Sequence, residues 1–254
     1  MDPVLIVNNL TKTFSRKGHP NLIAVDRVSF TLGAGECLGI IGESGSGKST
    51  VANMVTRLLD PTEGEIILDG EDITKARRRT LRNAFKKMQM VFQTPAESFD
   101  PRRTLGDGIG ESLRNSGMSR EEAQKEVAKL LEQCGLTPDF AGRYPHQVSG
   151  GQCQRAAIAR ALAIRPMVLI CDEATSALDV TIQEEILELL DELRRQRGAG
   201  LAILFICHDI ALVQRFCDRV LVMYKGRIVE QGDPDEIIRH PKDDYTRRLI
   251  DSVL

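Results

Sequence analysis

Residues 42–50 constrain the fold of this chain more than any other stretch. They follow the pattern Gly-x-x-x-x-Gly-Lys-Ser, in which glycines let the backbone curl so that several N–H groups point at one anion. The apolar residues 37–41 before the pattern suit a buried strand, and residues 50–59 after it suit a helix. This order favours a phosphate-binding loop over a glycine-rich turn with a chance lysine, because the helix then directs its positive end at the phosphate.

The side chains of this loop have distinct predicted roles. Lys48 supplies a positive charge for the outer phosphates of a nucleotide, and Ser49 supplies a hydroxyl for Mg²⁺. The predicted nucleotide contacts of the loop are Gly42, Glu43, Ser44, Gly45, Ser46, Gly47, Lys48, Ser49 and Thr50.

A second candidate motif lies at residues 168–173, where four apolar or small residues end in two carboxylates. A buried parallel strand has such a continuous apolar run, and ligands bind beyond the carboxyl ends of such strands. Asp172 is then placed to hold Mg²⁺, and Glu173 to orient or deprotonate an attacking water. A strand followed by a surface acidic turn is the alternative, and the phosphate loop argues against it.

Two polar residues end other predicted strands. Gln93 can reach the metal or the attacking water, and His208 can donate a hydrogen bond to the outermost phosphate. Taken alone, Gln93 is more simply explained as a surface glutamine and His208 as a loop histidine. Their positions at strand ends make them candidates for the same site.

The segment Ser149-Gly150-Gly151-Gln152 precedes a helix predicted over residues 153–163. A serine and two glycines here suit a helix cap and an anion-binding nest of backbone N–H groups. The chain already has one phosphate loop for its own nucleotide. A second phosphate-binding segment is best explained if it contacts a nucleotide bound by another copy of the chain or by a partner.

The order of strand and helix patterns indicates one α/β domain, residues 1–254, with a mostly parallel sheet. A strand-rich layer comes before the phosphate loop, and residues 1–93 and 165–254 form the nucleotide-binding core. Residues 94–164 lack strand patterns and are predicted to be a helical insertion, with a clear amphipathic helix at 119–135. Strands are predicted at 5–10, 24–32, 37–41, 65–68, 88–92, 167–171, 201–207, 220–224 and 227–231, and helices at 180–197 and 210–217.

Charge, cysteine usage and hydropathy argue against a nucleic-acid-binding protein, a metal-cluster protein and a membrane-spanning protein. The formal net charge is −2, which gives no electrostatic argument for nucleic acid. Residues 75–87 carry seven Lys and Arg, and a solvated helix face is favoured there over a phosphate-rich partner. Cys37, Cys171 and Cys207 lie in apolar runs and are predicted to be core residues, the scatter of all six cysteines argues against a metal site or cluster, and disulfides are not expected. With no apolar run long enough to span a bilayer and no signal-peptide pattern, we expect a soluble, cytoplasmic protein.

Together these motifs resemble those of ATP-binding subunits of ABC transporters, over essentially the whole chain. Ser149 to Gln152 is similar to the family signature, Gln93 to its Q-loop and His208 to its switch histidine. Ser176-Ala177-Leu178-Asp179 is similar to its D-loop, and Phe14 to the aromatic residue that stacks on adenine. The resemblance implies a P-loop NTPase fold, ATP and Mg²⁺ as ligands, and a head-to-tail dimer in which Asp179 and the signature face the partner's nucleotide.

The same resemblance implies partners at the cytoplasmic face of the cell membrane. The second ATPase subunit is identical or homologous, and two transmembrane permease subunits dock near the Q-loop and the helical insertion. An external solute-binding protein acts indirectly, and no nucleic acid is expected.

A narrower resemblance is to the importers of peptides and nickel. It rests on Ser98-Phe99-Asp100-Pro101-Arg102, on Tyr144-Pro145-His146, and on His240-Pro241 with Tyr245-Thr246-Arg247. Peptides, nickel or a metal chelate all remain open as cargo. No cysteine-rich extension follows Tyr245 and Thr246, so no iron–sulfur cluster is expected.

This sequence departs from the family pattern at four positions. Val148 and Cys153 flank the signature, Ala174 follows Glu173 where proline is usual, and Thr94 follows Gln93 where aspartate is usual. Thr94 puts the predicted contacts with the permease subunits in doubt. Ala174 in place of proline removes no side-chain group that could take part in the reaction.

Two other functions compete with transport. A soluble ABC ATPase acting on nucleic acid or the ribosome usually has a long coiled-coil insertion or two ATPase domains in one chain, and neither pattern is present. A P-loop kinase or GTPase leaves residues 149–152 unexplained, and the sequence has no Asn-Lys-x-Asp guanine motif.

Overall fold

The computed structural model describes residues 3–15, 18, 20–176, 178–196 and 200–252. Its first layer is a four-stranded antiparallel sheet in the order β2-β1-β4-β5. The sheet consists of β1 (Pro3–Phe14), β2 (Leu22–Gly33), β4 (Glu63–Leu68) and β5 (Glu71–Asp72). Asp69 and Gly70 form the turn between β4 and β5 with positive φ angles of 50° and 75°, as an Asp-Gly hairpin turn requires.

The second sheet has six strands in the order β10-β9-β3-β8-β7-β6. They are β3 (Cys37–Ile41), β6 (Met88–Val91), β7 (Val168–Asp172), β8 (Ala202–Ile206), β9 (Arg219–Tyr224) and β10 (Arg227–Gly232). Every pair is parallel except β9 and β10, which form a hairpin. The carboxyl ends of β3, β6, β7 and β8 therefore meet at one edge of the sheet.

The α-helices of the described residues are α1 (Lys48–Val55), α2 (Arg78–Lys87), α3 (Leu105–Asn115), α4 (Arg120–Gln133), α5 (Gly150–Leu162), α6 (Val180–Gln196), α7 (Ile210–Phe216), α8 (Pro234–Arg239) and α9 (Asp244–Asp251). No helix in these described ranges is long and apolar enough to cross a bilayer. Between β6 and β7 the described chain contains helices and no strand, which is where the sequence predicts a helical insertion.

Two hydrophobic clusters lie on opposite faces of the six-stranded sheet. Alternate residues of each strand enter each cluster, so that Ile170 and Leu204 face the antiparallel sheet and α1. Their neighbours Cys171 and Phe205 face α5, α6 and α7. The central strands are thus buried on both sides, which explains their continuous apolar runs. All six cysteines are buried, among them Cys37, Cys171 and Cys207, which the sequence predicts to be core residues.

Two predicted helices differ from the observed ones at their ends. The helix after the phosphate loop begins at Lys48 instead of residue 50 and ends at Val55, because Arg57 adopts a positive φ of 59°. The helix after the signature begins at Gly150 instead of residue 153, because the Ser149 hydroxyl caps it by accepting the Gln152 N–H at 3.3 Å. Both signature glycines therefore lie in the first turn of α5. The sequence also predicts a turn at residues 16–21 from its glycine and proline, and residues 16, 17 and 19 of that segment lie outside the described residues.

Candidate functional site

The phosphate loop joins β3 to α1 and forms the floor of an open pocket of about 550 Å³. Gly42, Gly45 and Gly47 have positive φ angles of 149°, 80° and 107°. A Cβ at Gly42 would lie 2.2 Å from the Met223 carbonyl oxygen, so only glycine fits there. The tight turn that the sequence pattern predicts is therefore formed, and α1 begins directly beneath it.

Lys48 is buried at the base of the loop. Its Nζ donates hydrogen bonds to the carbonyl oxygens of Gly42 at 2.7 Å and Glu43 at 3.0 Å. Burial lowers the pKa of Lys48, and the nearby Glu173 and Asp172 carboxylates oppose that effect. The lysine is thus held inside the loop, where its charge can meet phosphate oxygens.

The metal ligands predicted from two distant parts of the sequence are in contact. The Ser49 hydroxyl, in the first turn of α1, donates to Asp172 Oδ1 at the end of β7 across 3.1 Å. Burial raises the pKa of Asp172, although the hydrogen bond from Ser49 lowers it. A hydroxyl and a carboxylate oxygen side by side are ligands suited to Mg²⁺.

Glu173 has a positive φ of 47°, which is unusual for a residue with a side chain. Its N–H donates to the Ile206 carbonyl at 2.9 Å, and its carbonyl accepts from the Ser176 hydroxyl at 2.9 Å. These bonds hold the sharp turn after β7. As a result the Glu173 side chain lines the pocket, beside Ser49 and Lys48.

Gln93, just beyond β6, also lines this pocket, and its amide donates to the Ser176 hydroxyl at 3.3 Å. Because Ser176 is in turn bonded to the Glu173 carbonyl, the glutamine is linked to the turn that carries the glutamate. The structure therefore brings Lys48, Ser49, Asp172, Glu173 and Gln93 together at the carboxyl edge of the sheet.

Sequence reasoning missed a second wall of the pocket. Leu22, Ile23 and Ala24 of β2 line it from the antiparallel sheet, and Lys225 and Gly226 from the turn between β9 and β10. The Gly226 N–H donates to the Ser46 carbonyl at 2.8 Å, which ties this turn to the phosphate loop. The predicted strands at 220–224 and 227–231 leave only Lys225 and Gly226 between them, but the contact of these two residues with the phosphate loop has no signal in a single sequence.

Phe14 lies at the end of β1, directly opposite Leu22 in the sheet register. Its ring is 38% exposed, with Lys12 Nζ 5.2 Å from the ring centroid. Phe14 is therefore next to the pocket wall and partly exposed, without itself being among the lining residues.

The signature residues lie apart from the pocket. Ser149 is exposed, and Gln152 completes its capping box by accepting the Ser149 N–H at 3.0 Å. The two glycines approach Leu178 and Ile182, since a Cβ on Gly151 would lie 2.7 Å from Ile182 Cγ2. None of Ser149, Gly150, Gly151 or Gln152 lines the pocket that holds Lys48.

Two further predicted residues are also exposed outside that pocket. Asp179 caps α6, with its Oδ1 accepting the Ile182 N–H at 3.0 Å, while Ala177 of the same motif lies outside the described residues. His208 follows β8 and precedes Asp209, whose carboxylate caps α7. Both are positioned by short turns at the same edge of the sheet as the pocket, and neither lines it.

The residues present fit a nucleotide with Mg²⁺. The Ser46 hydroxyl is buried without a hydrogen-bond partner in the described residues, inside a loop of inward-pointing backbone. No group of three or more His, Cys, Asp or Glu in the described part of the chain is arranged to hold a metal. Ser49 and Asp172 are thus too few to hold Mg²⁺ alone, and phosphate oxygens and water would complete its coordination.

Comparison with known proteins agrees with this geometry. The model of the ABC transporter family matches residues 25–176. A probable peptide ABC transporter ATP-binding protein, y4tS of Sinorhizobium fredii, is 46% identical over 98% of this chain and 72% of its own length. The glutathione import ATP-binding protein GsiA of Escherichia coli is 48% identical over 99% of this chain, which spans 41% of GsiA.

Solved structures give the same result for the fold. The ATP-binding cassette MJ0796, as a post-hydrolysis dimer with ADP and Pi, is 32% identical with a TM-score of 0.82 over 91% of this chain and 98% of its own. The cbiO1 protein of Clostridium perfringens, part of the transporter complex cbiONQ, is 30% identical with a TM-score of 0.83 over 94% of this chain and 92% of its own.

Proposed function

The chain belongs to the ABC transporter family of ATP-binding proteins, and from that premise we propose that it is the ATP-hydrolysing subunit of a peptide importer. The observation that carries the ATPase part is the contact between Ser49 and Asp172, with Lys48 and Glu173 in the same pocket. That arrangement combines a lysine that can bind phosphate, two candidate metal ligands and a carboxylate that can act as a base.

In the proposed reaction each residue has one role. Lys48 and the loop N–H groups bind the phosphates, while Ser49 and Asp172, with Gln93, hold Mg²⁺, which neutralises charge on the phosphates. Glu173 accepts a proton from the attacking water, because its turn directs the carboxylate into the pocket. His208, at the same edge of the sheet, contacts the outermost phosphate, and Phe14 stacks its partly exposed ring on the adenine.

We propose further that a working site needs two ATPase subunits. The support is that none of Ser149 to Gln152 lines the pocket, although they form an exposed helix cap suited to an anion, so we infer that this cap contacts a nucleotide held by another chain. Asp179 would lie at the same subunit boundary. The MJ0796 cassette, which is similar in fold, is itself dimeric.

The same proposal extends to the membrane. Two permease subunits bind the ATPase pair at the cytoplasmic face, near Gln93 and the helical subdomain that we assign to residues 94–164. An external binding protein delivers the cargo. Peptide cargo is supported by the description of y4tS, and glutathione import by that of GsiA, since glutathione is a small peptide. Neither description mentions nickel or a metal chelate.

The experiment is reconstitution of this chain with its permease subunits and binding protein in liposomes. We expect ATP hydrolysis to rise when the binding protein carries a di- or tripeptide or glutathione, and to stay basal with nickel. The matched control is Glu173→Gln, which should abolish the stimulated rate. Stimulation by nickel alone would overturn the peptide assignment, and hydrolysis insensitive to the permease would overturn the transport role.

A further inference from the structure

The phosphate loop makes a hydrogen bond to a part of the chain about two hundred residues away. The Glu43 backbone N–H donates to the Tyr245 hydroxyl oxygen at 2.9 Å. Tyr245 lies in the first turn of α9, and its side chain is nearly buried, at 3% exposure. Neither the phosphate-loop motif nor the pocket itself assigns a role to this tyrosine.

Tyr245 is held firmly on its other sides. Its ring stacks on Tyr224, at the end of β9, with centroids 4.1 Å apart and planes 22° from parallel. The start of α9 is fixed in turn by Glu230 of β10, whose carboxylate accepts the N–H groups of Lys242 and Asp243 at 3.0 and 3.1 Å. The hydroxyl therefore has a fixed position relative to the six-stranded sheet.

The peptide unit between Gly42 and Glu43, whose N–H donates to Tyr245, carries the Gly42 carbonyl that accepts the Lys48 Nζ at 2.7 Å. The Glu43 carbonyl accepts the Lys48 Nζ at 3.0 Å and the Ser46 N–H at 3.1 Å. Glu43 is thus hydrogen-bonded through its N–H to Tyr245 of α9 and through its carbonyl to Lys48. Movement of this residue changes where Lys48 is held.

From this chain of contacts we propose that Tyr245 is a positioning residue for ATP binding, acting through the Glu43 backbone on Lys48. The proposal rests on the proposed ATPase function of this pocket. By fixing one arm of the loop before the nucleotide arrives, the hydroxyl reduces the ordering that binding would otherwise require. Burial raises the pKa of Tyr245, so the hydroxyl is neutral at physiological pH.

The test is Tyr245→Phe in the full chain, with ATP affinity measured by titration in the presence of Mg²⁺. The variant removes one oxygen and keeps the ring stack on Tyr224. We expect the Kd for ATP to rise about fivefold, as for one lost hydrogen bond, with the kcat at saturating ATP little changed. Tyr224→Phe is the matched control, because its hydroxyl makes no hydrogen bond within the described residues; its Kd should stay within twofold.

A double-mutant cycle separates positioning from general stability. In a Lys48→Ala background, Tyr245→Phe should change the Kd for ATP less than twofold, because the residue through which it acts is gone. An equal effect in both backgrounds, or no effect of Tyr245→Phe in the wild type, would overturn the inference. Wild-type protein that binds no ATP in the same titration would instead overturn the proposed function.

Discussion

At the scale of single residues, the site combines strain with burial. Glu173 occupies a backbone conformation that disfavours side chains, and two hydrogen bonds hold it there. Asp172, its neighbour, is kept in a buried position that disfavours its charge. Both conditions are costly in the free protein, and the cost of burying the Asp172 charge falls once a metal cation supplies opposite charge.

Replacement of Glu173 by Gln tests its role as base. The amide keeps the shape of the side chain but cannot accept the proton of water, so we expect kcat to fall by about 10²- to 10⁴-fold. The affinity for ATP should change less than threefold. Phosphate release and nucleotide titration measure the two quantities.

Glu192→Gln is the control for that experiment, because Glu192 is exposed on α6 and its carboxylate accepts a hydrogen bond only from Gln196 among the residues that the structure describes. Its turnover should match the wild type. Near-normal hydrolysis by the Glu173 variant would remove this residue from the role of base.

Replacement of Asp172 by Asn tests the cost of the buried charge. Because the folded-state pKa of Asp172 is raised, its ionised form weakens the free protein above that pKa, and stability returns as pH falls through it. In metal-free buffer at pH 7 we expect the variant to unfold about 2 °C higher than the wild type. Thermal melts between pH 4 and pH 8 should show this difference shrinking toward acid pH, and the opposite trend would contradict the assignment.

At the scale of elements, short caps position the long-range contacts. Ser119 and Glu122 form a capping box at the start of α4, in which the Ser119 hydroxyl accepts the Glu122 N–H and the Glu122 carboxylate accepts the Ser119 N–H. The same box recurs at α5 with Ser149 and Gln152. The cap of α4 only stabilises its helix. The cap of α5 also fixes the exposed residues 149–152, which resemble the family signature.

Ser119→Ala should therefore lower stability without altering the nucleotide site. The expected loss is about 1 kcal/mol in the free energy of unfolding, a decrease of about 2–4 °C in Tm. ATP affinity should stay the same. Ser116→Ala is a suitable comparison, because within the described part of the chain its hydroxyl bonds only to the Ser112 carbonyl, on α3. An equal loss of stability in Ser116→Ala would argue against the cap.

The sequence predicts single helices and strands better than it predicts how they pack together. Strand β3 and the loop after it follow from local pattern, because a continuous apolar run and a glycine motif each have one structural interpretation here. The wall at Leu22 to Ala24 and the Tyr245 contact depend on which elements pack together after folding. The sequence predicts the start of α5 three residues too late, because glycine disfavours a helix, whereas the Ser149 cap begins the helix at Gly150 and places both glycines in its first turn.

At the scale of the whole molecule, ATP should bring two copies or two homologues together. The Glu173→Gln variant binds ATP without consuming it, so we expect it to shift in size-exclusion chromatography with ATP from 28.2 kDa toward twice that mass. Adding Ser149→Arg should abolish the shift, because the larger cation fills the exposed cap that meets the other nucleotide.

Ser116→Arg serves as the matched control, since it places the same side chain on an exposed position of the helical region away from the signature. It should leave the ATP-dependent shift intact. A dimer that persists in the Ser149→Arg background would contradict the two-chain site for identical subunits.

The pocket has walls from two separate sheets. Leu22 to Ala24 come from the antiparallel layer, whereas Lys48, Asp172 and Glu173, to which we assign the hydrolysis, lie at the edge of the six-stranded sheet. Ile23 is 55% exposed, so its side chain can be replaced with little loss of packing. We expect such a substitution to change the fit of the nucleotide more than the rate of hydrolysis, so that the choice of nucleotide can be engineered separately from the proposed chemistry.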